Sequence, residues 1–126
     1  MTPRFAIAAG ALLMALGTGL GAFGAHALRA MVDASSLAVW HTAVLYQMLH
    51  GLGLLLSASL GAYLHPRWQA RSATLMLVGT LIFSGSLYIL VLTGVKWLGA
   101  ITPIGGTAMI LAWLALAMAA LRHARP

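Results

Sequence analysis

Apolar residues fill four stretches of the chain almost without interruption, roughly residues 5–25, 43–64, 73–95 and 103–121. A helix of about 20 mostly apolar residues crosses a hydrocarbon core about 30 Å thick. The pattern therefore predicts four transmembrane helices joined by short connections. It describes an all-α integral membrane four-helix bundle, one domain over residues 1–126 with no separate soluble module. Ser35 or Ser36 can cap an earlier start for the second helix, bringing in Leu37, Val39 and Trp40. The first stretch also resembles a signal peptide, with Arg4 before it and small residues around Gly24-Ala25. Its apolar run is longer than a usual signal core, so it is expected to be retained as a span.

The polar and small positions inside these stretches follow helical spacing. Gly10, Gly17, Gly21 and Gly24 share a narrow stripe of the first span, and small stripes let helices approach closely in lipid. The second span places Tyr46, His50, Gly53, Ser57 and Gly61 on one face, with Gln47 at its margin. Thr80, Ser84 and Tyr88 recur every four residues on the third. An unsatisfied polar group at membrane depth costs several kcal/mol, so both faces should turn inward as a buried polar seam. The fourth span opens with Thr102-Pro103, a capping residue followed by a proline at the first helical position, and Gly105-Gly106 thins its first turn. Trp40, Trp68 and Trp97 lie near span ends, where indoles favour the headgroup region, and Trp113 lies deeper. Gly17-Thr18 and Gly79-Thr80 match at an offset of 62, but too few other positions agree to establish an internal repeat.

Composition removes the soluble alternatives. Hydrophobic residues make up 62% of the chain and charged residues 6%, with mean hydropathy +0.98. A soluble domain carries about 25% charged residues. The net charge of +6 does not form a nucleic-acid surface, because Arg4, Arg29, Arg67, Arg71, Lys96, Arg122 and Arg125 all flank the spans. Their distribution orients the protein instead. Arg4, Arg67, Arg71, Arg122 and Arg125 fall on one side, and Arg29 and Lys96 on the other. Basic residues stay in the cytoplasm, so both termini are expected there. The lipid bilayer is the expected partner, together with a second copy or another membrane protein; nucleic acid is not.

Candidate chemistry is sparse. Asp33 is the only carboxylate side chain and cysteine is absent, which excludes paired-carboxylate hydrolysis, thiolate metal sites and a cysteine nucleophile. Ser84 near His50 would supply two members of a hydrolytic triad without the orienting carboxylate. His41 and His50 lie on opposite faces about 13.5 Å apart along the axis, so they cannot hold one ion alone. His26, His41, Met31 and Met48 offer imidazole and thioether ligands of the kind copper accepts, and two histidines can hold haem. The simpler expectation is that His50 hydrogen-bonds across the seam to Ser84, Tyr88 or backbone. His26 and His41 then meet headgroups or water, as do His65 and His123 at the opposite ends. No cofactor and no metal site is expected.

Gly21-Ala22-Phe23-Gly24-Ala25-His26, Trp40-His41-Thr42-Ala43 with Tyr46-Gln47 and His50, Phe83-Ser84-Gly85-Ser86-Leu87-Tyr88, Leu92-Thr93-Gly94 and the run Trp97 to Gly106 form an ordered set. In these motifs, over nearly its whole length, the chain resembles the domain-of-unknown-function 423 family of YgdD-like and transmembrane protein 256-like small inner-membrane proteins. The resemblance implies a four-helix protein of the bacterial inner membrane and supplies no activity or ligand. It points to His26, His41, Tyr46, Gln47, His50, Ser84, Tyr88, Thr102 and Gly106, with His26, His41, Thr102 and Gly106 grouped on the non-cytoplasmic side. The expected role is a non-enzymatic accessory or assembly component. The alternative is a small-molecule or ion permeation protein acting as an oligomer, and a third reading is metal or haem binding.

Overall fold

The computed structural model describes residues 1–124, leaving Arg125, one of the expected cytoplasmic basic residues, outside the described part. Four long helices account for most of it: α1 (Pro3–Ala25), α2 (Ala34–Ser59), α3 (Pro66–Thr93) and α4 (Thr102–Leu121). Short 3-10 turns at Leu28–Ala30, Gly61–Tyr63 and Lys96–Ala100 join them. No strand occurs among the described residues.

Local sequence sets each boundary. Thr2 Oγ1 accepts the Phe5 N–H at 3.2 Å, and Pro3 takes the first position of α1. Asp33, rather than Ser35 or Ser36, caps α2 by accepting the Ser36 N–H at 2.8 Å. That bond, with the Ser36 and Ser35 side chains, holds the exposed Asp33 carboxyl below the ordinary carboxylate range. The ionised cap is therefore present above the unfolded pKa and lost as pH falls through the lowered folded value. α2 begins at Ala34 instead of 43 and stops at Ser59, because the chain tightens into the Gly61–Tyr63 turn before reaching 64. α3 begins at Pro66 instead of 73, so Arg67 and Arg71 lie on the helix. It ends at Gly94, whose φ of 73° is left-handed and suits glycine. Thr102 does not cap α4: it sits inside the helix, with Oγ1 3.3 Å from the Leu98 carbonyl.

α1 packs on α2, α2 on α3 and α3 on α4. Both described ends of the chain lie at one end of the helices. Thr2 and Pro3 share a depression with Pro66 and Gln69, and the His65 N–H donates to Ala119 O at 2.8 Å. Ser36, Gly94 and Lys96 come together at the opposite end.

Alanine, glycine and serine supply much of the interior, with a few large side chains among them, and most of the exterior is large and apolar. Ala6, Leu13, Leu54, Ala73, Met76 and Ala112 form a core drawn from all four helices, while Leu12, Leu81, Ile104, Ile110 and Leu114 are exposed. Membrane helices associate through close packing of small residues, so this distribution suits lipid outside. Two crossings depend on glycine. A Cβ on Gly10 would lie 2.7 Å from Gly51 O, and one on Gly79 would lie 2.9 Å from Gly105 O. The stretches Pro3–Ala30, Pro66–Thr93 and Lys96–Leu121 are each long and apolar enough to cross a membrane. α2 is as long, but His41, Gln47, His50 and Ser57 make it more polar.

Candidate functional site

Most of the buried polar side chains at mid-helix depth join one helix to another. Gln47 is 4% exposed and bridges three of them: its Nε2 donates to Leu13 O of α1 at 2.8 Å, and its Oε1 accepts from Tyr88 Oη of α3 at 2.6 Å. One step along, Ser84 Oγ donates to Ala43 O at 2.7 Å, again tying α3 to α2. Trp40 Nε1 donates to Leu20 O at 2.9 Å and closes the α1–α2 pair. Trp40 is 1% exposed, with the Tyr88 ring 4.6 Å away and the Phe23 ring 5.7 Å away. It is a core residue, not the headgroup anchor its position near a span end suggested. Gly24 makes the slot, since a Cβ there would lie 2.7 Å from Trp40 Cδ1.

His50 joins α2 to α4. Trp113 Nε1 donates to His50 Nε2 at 3.0 Å, while Nδ1 lies 2.7 Å from the Tyr46 carbonyl oxygen. Indole N–H is only a donor and a carbonyl only an acceptor, so the proton belongs on Nδ1 and the ring is neutral. Both ring nitrogens are thereby occupied: His50 bonds to backbone within its own helix and to Trp113 across the bundle, and hydrogen-bonds neither Ser84 nor Tyr88. The serine–histidine pairing needed for a hydrolytic nucleophile is not formed.

The four-residue series on α3 is longer than its visible members. Extended backwards from Thr80 it reaches Met76 and Ser72, and Ser72 Oγ donates to Ala112 O of α4 at 2.7 Å. Four residues turn a helix through about 400°, so such a series drifts about 40° at each step. The series accordingly winds from α4 to α2. Ser72 bonds to α4, Thr80 Oγ1 lies 3.9 Å from Met109 S on α4, and Ser84 and Tyr88 bond to α2. The two expected faces are therefore not one planar seam.

The remaining expected positions divide. Tyr46 is not buried: it is 38% exposed and packs its ring against Phe83 at 5.0 Å, while Gln47, placed at the margin by spacing, is the hub. Ser57 is 1% exposed with its hydroxyl unpartnered. Gly10, Gly17, Gly21 and Gly24 all face α2, Gly21 more loosely, with only Val44 at 3.4 Å. The expected grouping of His26, His41, Thr102 and Gly106 is not held together by hydrogen bonds among the described residues. His26 and His41 are exposed on the α1–α2 side; Thr102 shares a 2.6 Å bond with Ser86, and Gly106 lies against Phe83. Ser72, Ser86, Gln69 and Trp113 are further clamps; Gln69 Nε2 donates to Ser57 O at 2.6 Å. No group of three His, Asp or Glu side chains suited to a metal forms among the described residues.

The family described as protein of unknown function DUF423 matches residues 20–106, which include the Gln47, His50, Ser84 and Tyr88 positions. The chain belongs to the DUF423 family. Relatives agree along nearly the full length. The UPF0382 membrane protein YwdK of Bacillus subtilis is 46% identical over 115 residues, covering 90% of this chain and 94% of its own. The UPF0382 membrane protein SERP0230 of Staphylococcus epidermidis is 44% identical over 117 residues, covering 91% and 93%. No solved structure matches this DUF423 chain. Its family segment runs from Leu20, the acceptor of the Trp40 bond, to Gly106 in the first turn of α4, and so excludes Trp113.

The hub makes a direct prediction. Gln47→Leu and Tyr88→Phe should each weaken the fold by about 1 kcal/mol, since hydrogen bonds between membrane helices average about 0.6 and reach about 1.7 kcal/mol. The double variant should lose less than the sum of the two, because both singles break the same bond. Reversible unfolding in mixed micelles reads this; strict additivity would show that the 2.6 Å bond carries no stability.

Proposed function

We propose that this DUF423 protein is a non-enzymatic accessory or assembly component of the bacterial inner membrane, spanning it four times with both termini in the cytoplasm. α2 is the fourth span in this reading. It lies between α1 and α3, and its mid-helix side chains Gln47 and His50 are satisfied by Leu13, Tyr88 and Trp113, which lowers the cost of placing it in lipid. Arg4, Arg67, Arg71 and Arg122 at the end bearing the termini support the orientation, as Arg29 and Lys96 lie at the other.

The observation that carries the proposal is the consumption of Gln47, His50, Ser84 and Tyr88 by helix-to-helix bonds. A catalytic site or a permeation path needs polar groups left free for a substrate or ion, and Gln47, His50, Ser84 and Tyr88 are all engaged. A scaffold needs a fixed shape and an outer surface, and both are provided.

The test has two arms. Affinity purification of the tagged protein from native membranes, under mild extraction, should recover a membrane-protein partner or a second copy. Purified protein that remains alone and by itself supports solute flux in vesicles would overturn the reading. Because the chain has no cysteine, single substitutions Arg29→Cys and Arg122→Cys report topology cleanly. A membrane-impermeant maleimide should label the first in intact cells and the second only after permeabilisation.

A further inference from the structure

A groove of about 710 Å³ runs along the outer faces of α3 and α4, and none of Gln47, His50, Ser84 and Tyr88 lines it. Its wall is apolar, with Leu75, Leu114 and Met118 among the lining side chains, and Arg67, Trp68 and Arg71 stand at the end near the chain termini. We propose that this groove is a specific site for one anionic glycerophospholipid, with the phosphate held by Arg67 and Arg71 and an acyl chain lying along Leu75, Leu114 and Met118. The proposal rests on the membrane placement given above and not on the accessory role.

The argument is one of charge and depth. Arg67 and Arg71 are four residues apart, hence neighbours on one helix face, and both are exposed. The Arg71 guanidinium lies 4.6 Å over the Trp68 ring, which orients it at the level where indoles meet headgroups. Asp33, the only carboxylate side chain of the protein, caps α2 at the opposite end. The two guanidiniums therefore have no carboxylate side chain to neutralise them, while guanidinium groups bind phosphate oxygens by charge-assisted hydrogen bonds. The volume is within the range of about 300–1,000 Å³ typical of sites that enclose small ligands. A slot that is apolar along its length and doubly cationic at its headgroup end is complementary to an acyl chain carrying an anionic head.

Delipidated full-length protein is offered phosphatidylglycerol or phosphatidylcholine with identical acyl chains, and bound lipid is counted by native mass spectrometry. One phosphatidylglycerol should be retained with a preference of about tenfold or more, given about 1 kcal/mol for each basic residue near an anionic lipid surface. Free glycerol phosphate should not compete at equal concentration, since it lacks the acyl chain. Arg67→Gln with Arg71→Gln should reduce phosphatidylglycerol binding to the phosphatidylcholine level; if that pair does not fold, the preference of the unaltered protein decides alone. Equal retention of the two lipids, competition by glycerol phosphate, or undiminished preference in the folded double variant would overturn the site. So would a disulfide-linked dimer formed efficiently by Leu114→Cys in native membranes, which would assign the groove to a second copy. Reversed topology in the maleimide experiment would leave the lipid preference intact, so the two readings fail separately.

Discussion

Trp40→Ala is expected to destabilise the protein by about 3–5 kcal/mol, the range for removing a large aromatic from a packed core. Trp40 is the largest fully buried side chain, and three helices lose contact when it goes. Its indole fills the slot opposite Gly24, touches the Phe23 and Tyr88 rings, and bonds to Leu20 O at 2.9 Å. Trp40→Phe keeps most of the volume and loses the Leu20 bond, so about 1–2 kcal/mol is expected. Unfolding in mixed micelles and the near-ultraviolet circular dichroism of the folded state measure both. A Trp40→Ala variant within 1 kcal/mol of the parent would contradict a core role.

Gly105→Ala should separate α3 from α4. The added Cβ would overlap the Phe83 backbone nitrogen and lie 2.7 Å from Gly79 O and 2.9 Å from Phe83 Cα. All three are backbone atoms, so no side-chain rotation relieves the contact and the helices must move apart. Overpacking of this kind costs about 1–3 kcal/mol, occasionally more, and here it also strains the Ser86–Thr102 and Ser72–Ala112 bonds between the same helices. Gly19→Ala and Gly85→Ala are the controls: no atom lies within 4 Å of either Cβ, so each should be neutral or gain up to about 1 kcal/mol of helix propensity. Equal effects at Gly105 and Gly85 would mean that the crossing is not set by backbone contact.

The helices and the glycine stripe of α1 were legible in the chain because the physics behind them is local; its partner α2 was not. Gly10, Gly17 and Gly24 repeat every seven residues, about two turns, and a single helix determines that they share a face. On α2, His50, Gly53 and Ser57 are buried on the expected face, and only Tyr46 and Gln47 exchange places, Tyr46 being exposed and Gln47 buried. α2 has neighbours on two sides, so its buried arc is wide, taking in Trp40, Ala43, Gln47, His50, Gly51, Gly53, Leu54 and Ser57. Periodicity alone cannot centre a stripe that wide. Trp40 was misplaced for a related reason. Its position near a span end suits a headgroup anchor, and only the pairing of Gly24 with it across two helices makes it a core residue. Ser72 was discoverable, since the series from Tyr88 back through Ser84 and Thr80 leads to it. The partner of His50 was not, because Trp113 lies 63 positions away with no spacing rule to connect them.

Fluorescence of single-tryptophan variants in bilayers containing brominated acyl chains bears most directly on the inward-turned interior. Each variant keeps one tryptophan and replaces the other three with Phe. The 1% exposed Trp40 should escape quenching at every bromine depth, whereas Trp113, 41% exposed, should be quenched by bromines near the bilayer middle. Trp40 quenched as strongly as Trp113, in a variant that retains its helicity, would contradict the account.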